Sequence, residues 1–120
     1  MSSDTISEQE TTRRKIKERI VSSFLDYIVL GHYLQGGTFS GYDVLQFIHQ
    51  QYGFFISTGT VYSTLYSMER NGLLGGLDSA KKRLFNVTDK GKFTYEVASS
   101  ASDIETLMAK VFSLQTKIHT

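Results

Sequence analysis

The 120-residue chain has no cysteine, no proline and no tryptophan. Without cysteine there are no disulfides, no Cys-ligated zinc or iron–sulfur cluster and no thiol catalysis. A chain of this kind suits a reducing compartment, and a cytoplasmic location is expected. No apolar run approaches the ~18 residues of a membrane-spanning helix. The opening MSSDTISEQE is polar and acidic, unlike a secretory signal. The absence of proline removes one cause of kinks, so long unbroken helices are permitted. Net charge is nearly absent too, at +1. That balance argues neither for nor against an anionic partner.

The chain has 40% hydrophobic and 21% charged residues, a globular composition sufficient for one modest core. Its charge is unevenly placed. Residues 11–20 and 81–92 each carry +4, while 1–10 and 21–80 each carry −3. Two basic blocks therefore hide in a neutral total.

All ten glycines lie between Gly31 and Gly91. Glycine punctuates elements, so two unbroken terminal quarters flank a divided middle. The first quarter predicts helix. Acid precedes base, pairs such as Glu10–Arg14 stand at i,i+4, and Ile16, Ile20 and Phe24 share a face. From Val21 to Leu34 the apolar residues cover nearly all sides, as in a buried helix, and Gly36-Gly37 ends it. His32 lies in that run and is expected in the core. In the middle, Ser40 can N-cap a helix with Asp43 at N3, and Gly53 can end it. Ser57 or Thr58 can cap the next helix, which runs to about Asn71-Gly72. Leu73-Leu74 and Leu84–Val87 predict two short strands around the loop 75–82. Thr88-Asp89 opens a last helix. There Val97, Ile104, Leu107, Met108, Val111, Leu114 and Ile118 fall in a heptad-like seam.

Helix, helix, turn, helix, β-hairpin and helix is the order of a winged helix-turn-helix. A closer likeness rests on Ser40-Gly41-Tyr42-Asp43-Val44, Gly59-Thr60-Val61-Tyr62, the LYSMERNGLL run of 65–74, and Arg83-Leu84-Phe85-Asn86-Val87-Thr88-Asp89-Lys90-Gly91. Together these resemble the PadR family of transcriptional regulators over about residues 25–96. Ser40 stands where that family often has histidine, and Ser63 where it usually has proline. The fold class implied is mainly α with a small β-hairpin. The expected parts are an N-terminal helical extension (1–24), a winged domain (25–92) and one C-terminal dimerisation helix (93–120).

The resemblance makes the helix 59–71 the recognition helix. On a helical wheel Val61, Leu65 and Met68 cluster towards the core. Thr60, Ser63, Ser67 and Arg70 lie roughly opposite, Tyr62 and Thr64 flank the core face, and Tyr66 leans outward. Such hydroxyls can approach base edges closely, and a Thr methyl can touch a thymine methyl. No Arg, Lys, Asn or Gln stands in the first turns, so bidentate reading of guanine or adenine there is not expected. Ser40 and Tyr42, at the start of the preceding helix, are candidate phosphate contacts, and Ser57 and Thr58 are further candidate DNA-binding residues. Lys81, Lys82 and Arg83 are expected to carry phosphate neutralisation at the wing. The basic run Arg13–Arg19 is either a wider footprint or a solvated face.

The expected partners are double-stranded DNA and a second copy of the chain. The seam would pack on its twofold mate, spacing two recognition helices on the order of 10 bp apart. The eight Phe and seven Tyr leave room for a small aromatic effector at that interface, as the resemblance implies for some members. No cofactor, metal or membrane partner is expected. His32, His49 and His119 lack ligand spacing, and no nucleophile or phosphate-loop motif occurs, so an enzyme is not expected. The leading reading is a homodimeric regulator, a repressor. The alternatives are a winged-helix protein-interaction module and a non-specific architectural DNA binder.

Overall fold

A computed structural model describes the backbone over residues 3–119 and the side chains over residues 5–113. Among the described residues six helices and one antiparallel hairpin follow in the order α1 (Ser3–Ser23), α2 (Leu25–His32), α3 (Gly41–Tyr52), α4 (Thr58–Arg70), β1 (Leu74–Ser79), β2 (Lys82–Val87), α5 (Asp89–Ser100) and α6 (Ser102–His119). Among the described residues no helix is long and apolar enough to cross a membrane.

The core collects one face from each central element. Leu25 and Val29 come from α2, Val44 and Ile48 from α3, Val61 and Leu65 from α4, and Phe85 from β2, all essentially without solvent. Phe39 joins them by exchanging two backbone hydrogen bonds with Phe85, of 2.9 and 2.8 Å. Tyr33 stacks on Phe39 with centroids 3.8 Å apart. Burial first, then the nearby Asp43 carboxylate, push the Tyr33 hydroxyl up to about 12.

Local signals set the helix ends. Ser40 caps α3 in a reciprocal box: its Oγ accepts from the Asp43 N–H (3.2 Å), and the Asp43 carboxylate accepts from the Ser40 N–H (2.9 Å). Gly53 ends α3 in left-handed backbone, φ +82°. Gly72, φ +78°, ends α4. There the Leu73 N–H donates to the Met68 carbonyl and the Gly72 N–H to that of Glu69, a Schellman closure. Thr88 then ties the parts together. Its hydroxyl donates to the Gly72 carbonyl (2.6 Å) and accepts from the Gly91 N–H (3.1 Å) at the start of α5.

Four expectations change. The hairpin is longer than Leu73-Leu74 and Leu84–Val87. Its register runs from Leu74↔Val87 to Ser79↔Lys82, so the expected loop 75–82 is ladder on both sides of a two-residue turn, Ala80-Lys81. Backbone pairing needs no side chains, so Gly75 and Gly76 continue the strand. Neither terminal quarter is one unbroken helix. At Phe24 the chain turns (φ −109°, ψ 20°), though the Ile28 N–H still donates to the Phe24 carbonyl at 2.9 Å. At Ala101 the backbone is extended, and the expected C-terminal helix is two, with residue 93 inside α5. The Ser100 hydroxyl donates to the Glu96 carbonyl (2.8 Å), and the Asp103 carboxylate accepts from the Ile104 N–H (3.0 Å). Short polar side chains compete with the helix ladder in this way. His32 is exposed rather than in the core, with its ring stacked on Phe47. In α1 the ion pair is Arg14–Glu18 (3.4 Å), not Glu10–Arg14.

The molecule extends 54 × 36 × 21 Å, with a radius of gyration of 17.2 Å. A compact chain of this length has roughly 14 Å. The terminal helices account for the difference: α1 is exposed from Thr5 through Lys17, and α6 leaves Leu107 and Val111 each 59% exposed.

Candidate nucleic-acid interface

The exposed face of α4 is narrower than the wheel suggests. Gly59, Ser63, Tyr66 and Arg70 are exposed and stand within about 60° of one another, opposite buried Val61, Leu65 and Met68. The two flanks are occupied differently. On one, Ser63, Thr64 and Ser67 line an open polar cleft of about 330 Å³ with Ser22, Ser23 and Asp26 of the α1–α2 joint. On the other, Tyr62 lies against Gly41 at the start of α3, and Tyr66 meets Phe85 edge-on at 5.9 Å.

The α4 N-terminus is capped by Ser57, whose Oγ accepts from the Thr60 N–H (3.1 Å) and shares a 2.8 Å hydrogen bond with the Thr60 hydroxyl. Ser57, Thr58 and Gly59 are all exposed around that end. Tyr42, in the first turn of α3, is also exposed, at 63%. Ser40 is different. It is 4% exposed and its side chain serves the capping box, so it does not present a hydroxyl at the surface.

The wing splits its three cations. Lys81 and Lys82 are exposed, and their ammonium groups have no hydrogen-bond or ion-pair partner among the described residues. Arg83 is turned inward. Its Nη1 donates to Asp78 Oδ1 at 2.7 Å, and its Nη2 to Glu69 Oε2 of α4. These two carboxylates, Asp78 foremost, hold the guanidinium above its ordinary pKa. Strand alternation explains the split, since Lys82 and Arg83 point to opposite faces of the hairpin. Neither acid is legible as a partner while 75–82 is read as a loop; the cross-strand pair Asp78↔Arg83 appears once the register is known. Lys90 is also engaged, donating to the Asn71 carbonyl (2.8 Å) at the end of α4.

Among the described residues no three His, Asp or Glu side chains are grouped to hold a metal.

The model of the transcriptional regulator PadR-like family matches residues 29–97, more than half of the chain. The chain belongs to that family. This PadR-like chain also resembles solved structures. A PadR family transcriptional regulator from Eggerthella lenta DSM 2243 superposes with a TM-score of 0.68 at 18% identity, covering 94% of this chain and 97% of that one. A transcriptional regulator from Clostridium thermocellum gives 0.64 at 22% identity, covering 79% and 95%. Bacillus subtilis PadR, solved in complex with operator DNA, gives 0.56 at 23% identity, covering 64% of this chain and 47% of its own. No curated protein matches in sequence. The PadR-like segment runs from Val29 in α2 to Val97 in α5, so α1 and α6 lie outside it.

The remaining expected site residues fall on α5 and α6. Val97, Ile104, Leu107 and Val111 are exposed, and Met108 is half-buried. Leu114 and Ile118 lie outside the residues whose side chains are described. Ile104 and Met108 also line an apolar groove of about 700 Å³ with Phe24, Leu30 and Leu73.

Proposed function

We propose that this PadR-like regulator binds duplex DNA as a homodimer and represses transcription by covering the bound site. α4 enters the major groove, presenting Gly59, Ser63, Tyr66 and Arg70. Ser57, Thr58, Thr60 and Tyr62 shape its leading end, and Ser67 borders it. Tyr42 and the free lysines Lys81 and Lys82 meet phosphates on either side. One observation supports this most: an exposed helix stripe opposite the core stands beside a hairpin whose two unpartnered cations point outward. Phosphate contacts need cations that are not already neutralised.

The exposed apolar residues of α5 and α6 support the dimer. Val97, Leu107, Val111 and Phe112 are each more than half exposed, a stripe that a second copy would cover. The groove beside Phe24 and Met108 is apolar enough to admit a small aromatic effector at that interface.

The test is affinity for duplex DNA against salt. Log K should fall linearly with log salt. Lys81→Ala with Lys82→Ala should reduce the slope by about two units, near one for each phosphate no longer neutralised. Selection from a random duplex pool should return a preferred site without a strict guanine opposite Ser63, because hydroxyls do not make a bidentate guanine contact. Salt-independent or undetectable binding would favour the protein-interaction module. Salt-dependent binding with no preferred site would favour the architectural binder.

A further inference from the structure

Arg83 follows two lysines in sequence, yet it faces away from them. The hairpin face that carries Asp78, Arg83, Gly76 and Phe85 is the face turned to α4, because paired residues share a face and alternate along each strand. On that face one guanidinium reaches two elements. Nη1 is bonded within the hairpin, to Asp78 at 2.7 Å, and Nη2 crosses to Glu69 near the end of α4. The flat fork of arginine can serve both carboxylates at once, which a lysine ammonium does less well. Gly76 leaves the space. A Cβ built there would overlap the Glu69 carboxylate, lying 2.8 Å from Cδ, and would also overlap Arg83 Nη2.

We infer that Arg83 is a positioning residue: with Glu69 and Asp78 it latches the hairpin to the recognition helix, and it is not a DNA contact. Its effect on DNA rests on the binding reading above; the latch itself does not. A two-stranded hairpin is marginal by itself, so its angle to α4 depends on what anchors it. Phe85 anchors the base, packed against Tyr66 and Phe39. The Arg83 fork anchors the outer half, nearer the turn that carries Lys81. The latch thereby sets where the free lysines stand relative to the base-reading stripe. It contributes discrimination between sites, and its own charge is cancelled.

The experiment uses the full chain and three variants: Glu69→Gln, Gly76→Ala and Arg83→Lys. Gly76→Ala closes the space without changing any charge, and its backbone has no positive φ to strain. Hydrogen exchange of the hairpin amides is read in the free protein. Affinity for the selected duplex and for an unrelated duplex is then read across salt. We expect hairpin exchange about tenfold faster in Glu69→Gln and Gly76→Ala, with the α3 core amides unchanged. The preference for the selected duplex should fall by about the same factor, with the salt slope unaltered. Arg83→Lys should lose preference as well, although it keeps the charge.

Opposite results overturn the latch. If Arg83 were a phosphate contact muffled by its acids, Glu69→Gln would free it, raising affinity and steepening the salt slope, and Arg83→Lys would bind normally. Unchanged hairpin exchange in both Glu69→Gln and Gly76→Ala overturns the latch whether or not DNA binds. A wild-type protein without salt-dependent binding would instead remove the DNA reading, and the exchange measurement would still decide the latch.

Discussion

Gly91, in the first turn of α5, packs directly on the main-chain carbonyl of Leu73. A Cβ at this position would overlap that oxygen and stand 3.0 Å from both Leu30 Cδ2 and Val87 Cγ1. This contact is with backbone, and the Leu73 carbonyl is already committed as acceptor for the Thr88 N–H at 3.1 Å. The joint between α4, the hairpin and α5 therefore has no slack.

Gly91→Ala should destabilise the protein by about 1–3 kcal/mol, as over-packing against a fixed backbone does. Chemical denaturation should show a lower midpoint with an unchanged slope. A wild-type midpoint would show that α5 can shift away at no cost.

Gly59→Ala should behave in the opposite sense. Gly59 lies in the first turn of α4 with open space around its Cβ position. Alanine there should leave stability unchanged or raise it by up to about 1 kcal/mol. The same methyl stands on the stripe proposed to face DNA, where it would hold α4 farther from the bases. Affinity for the selected duplex should fall while the melting temperature does not.

Charge placed on the C-terminal stripe should separate the proposed dimer. Leu107 and Val111 are four residues apart on α6 and equally exposed. Leu107→Glu with Val111→Glu should sediment as a 13.5 kDa monomer where the wild type sediments as a pair. Thermal stability at low concentration should change little, because neither side chain is in the core of one copy. A double variant that remains dimeric would place the interface elsewhere.

Alkaline pH should unfold the protein through its shielded tyrosines. Burial, with the Asp43 carboxylate beside it, raises the Tyr33 hydroxyl to about 12 from an ordinary 10.0. Between those values the unfolded chain releases the proton while the folded chain keeps it. The contribution of Tyr33 is therefore fully present below about pH 10 and is lost as pH climbs towards 12. Melting temperature measured from pH 8 to 12 should be level and then fall. Tyr33→Phe should flatten that fall in part. Tyr27, also raised, by burial and by its neighbour Tyr95, contributes in the same direction. An equally steep fall in the variant would assign the titration to other groups.

Much of the central domain is readable residue by residue. Ser40, Gly53, Ser57 and Gly72 act within a few positions of themselves, so their capping roles follow from spacing alone. The core face of α4 is equally legible, because Val61, Leu65 and Met68 obey the helical period. The hairpin is harder. Glycines at 75 and 76 look like loop until a partner strand supplies their hydrogen bonds. The breaks at Phe24 and Ala101 are harder still, since no proline or glycine marks either one.

The amino-acid sequence by itself determined the order of the central elements from α3 to the hairpin, the helix caps, the buried stripe of α4 and the family likeness carried by residues 40–91. Each depends on interactions reaching only a few positions along the chain, or on motif residues at fixed offsets. Tertiary structure alone decided what each cation of the wing does. Arg83 meets Glu69 across fourteen positions, while the ammonium groups of Lys81 and Lys82 have no partner among the described residues. Three adjacent positive charges are alike to any local rule. Only the pairing of two strands, and the helix packed beneath them, turns one inward to carboxylates and leaves two facing solvent.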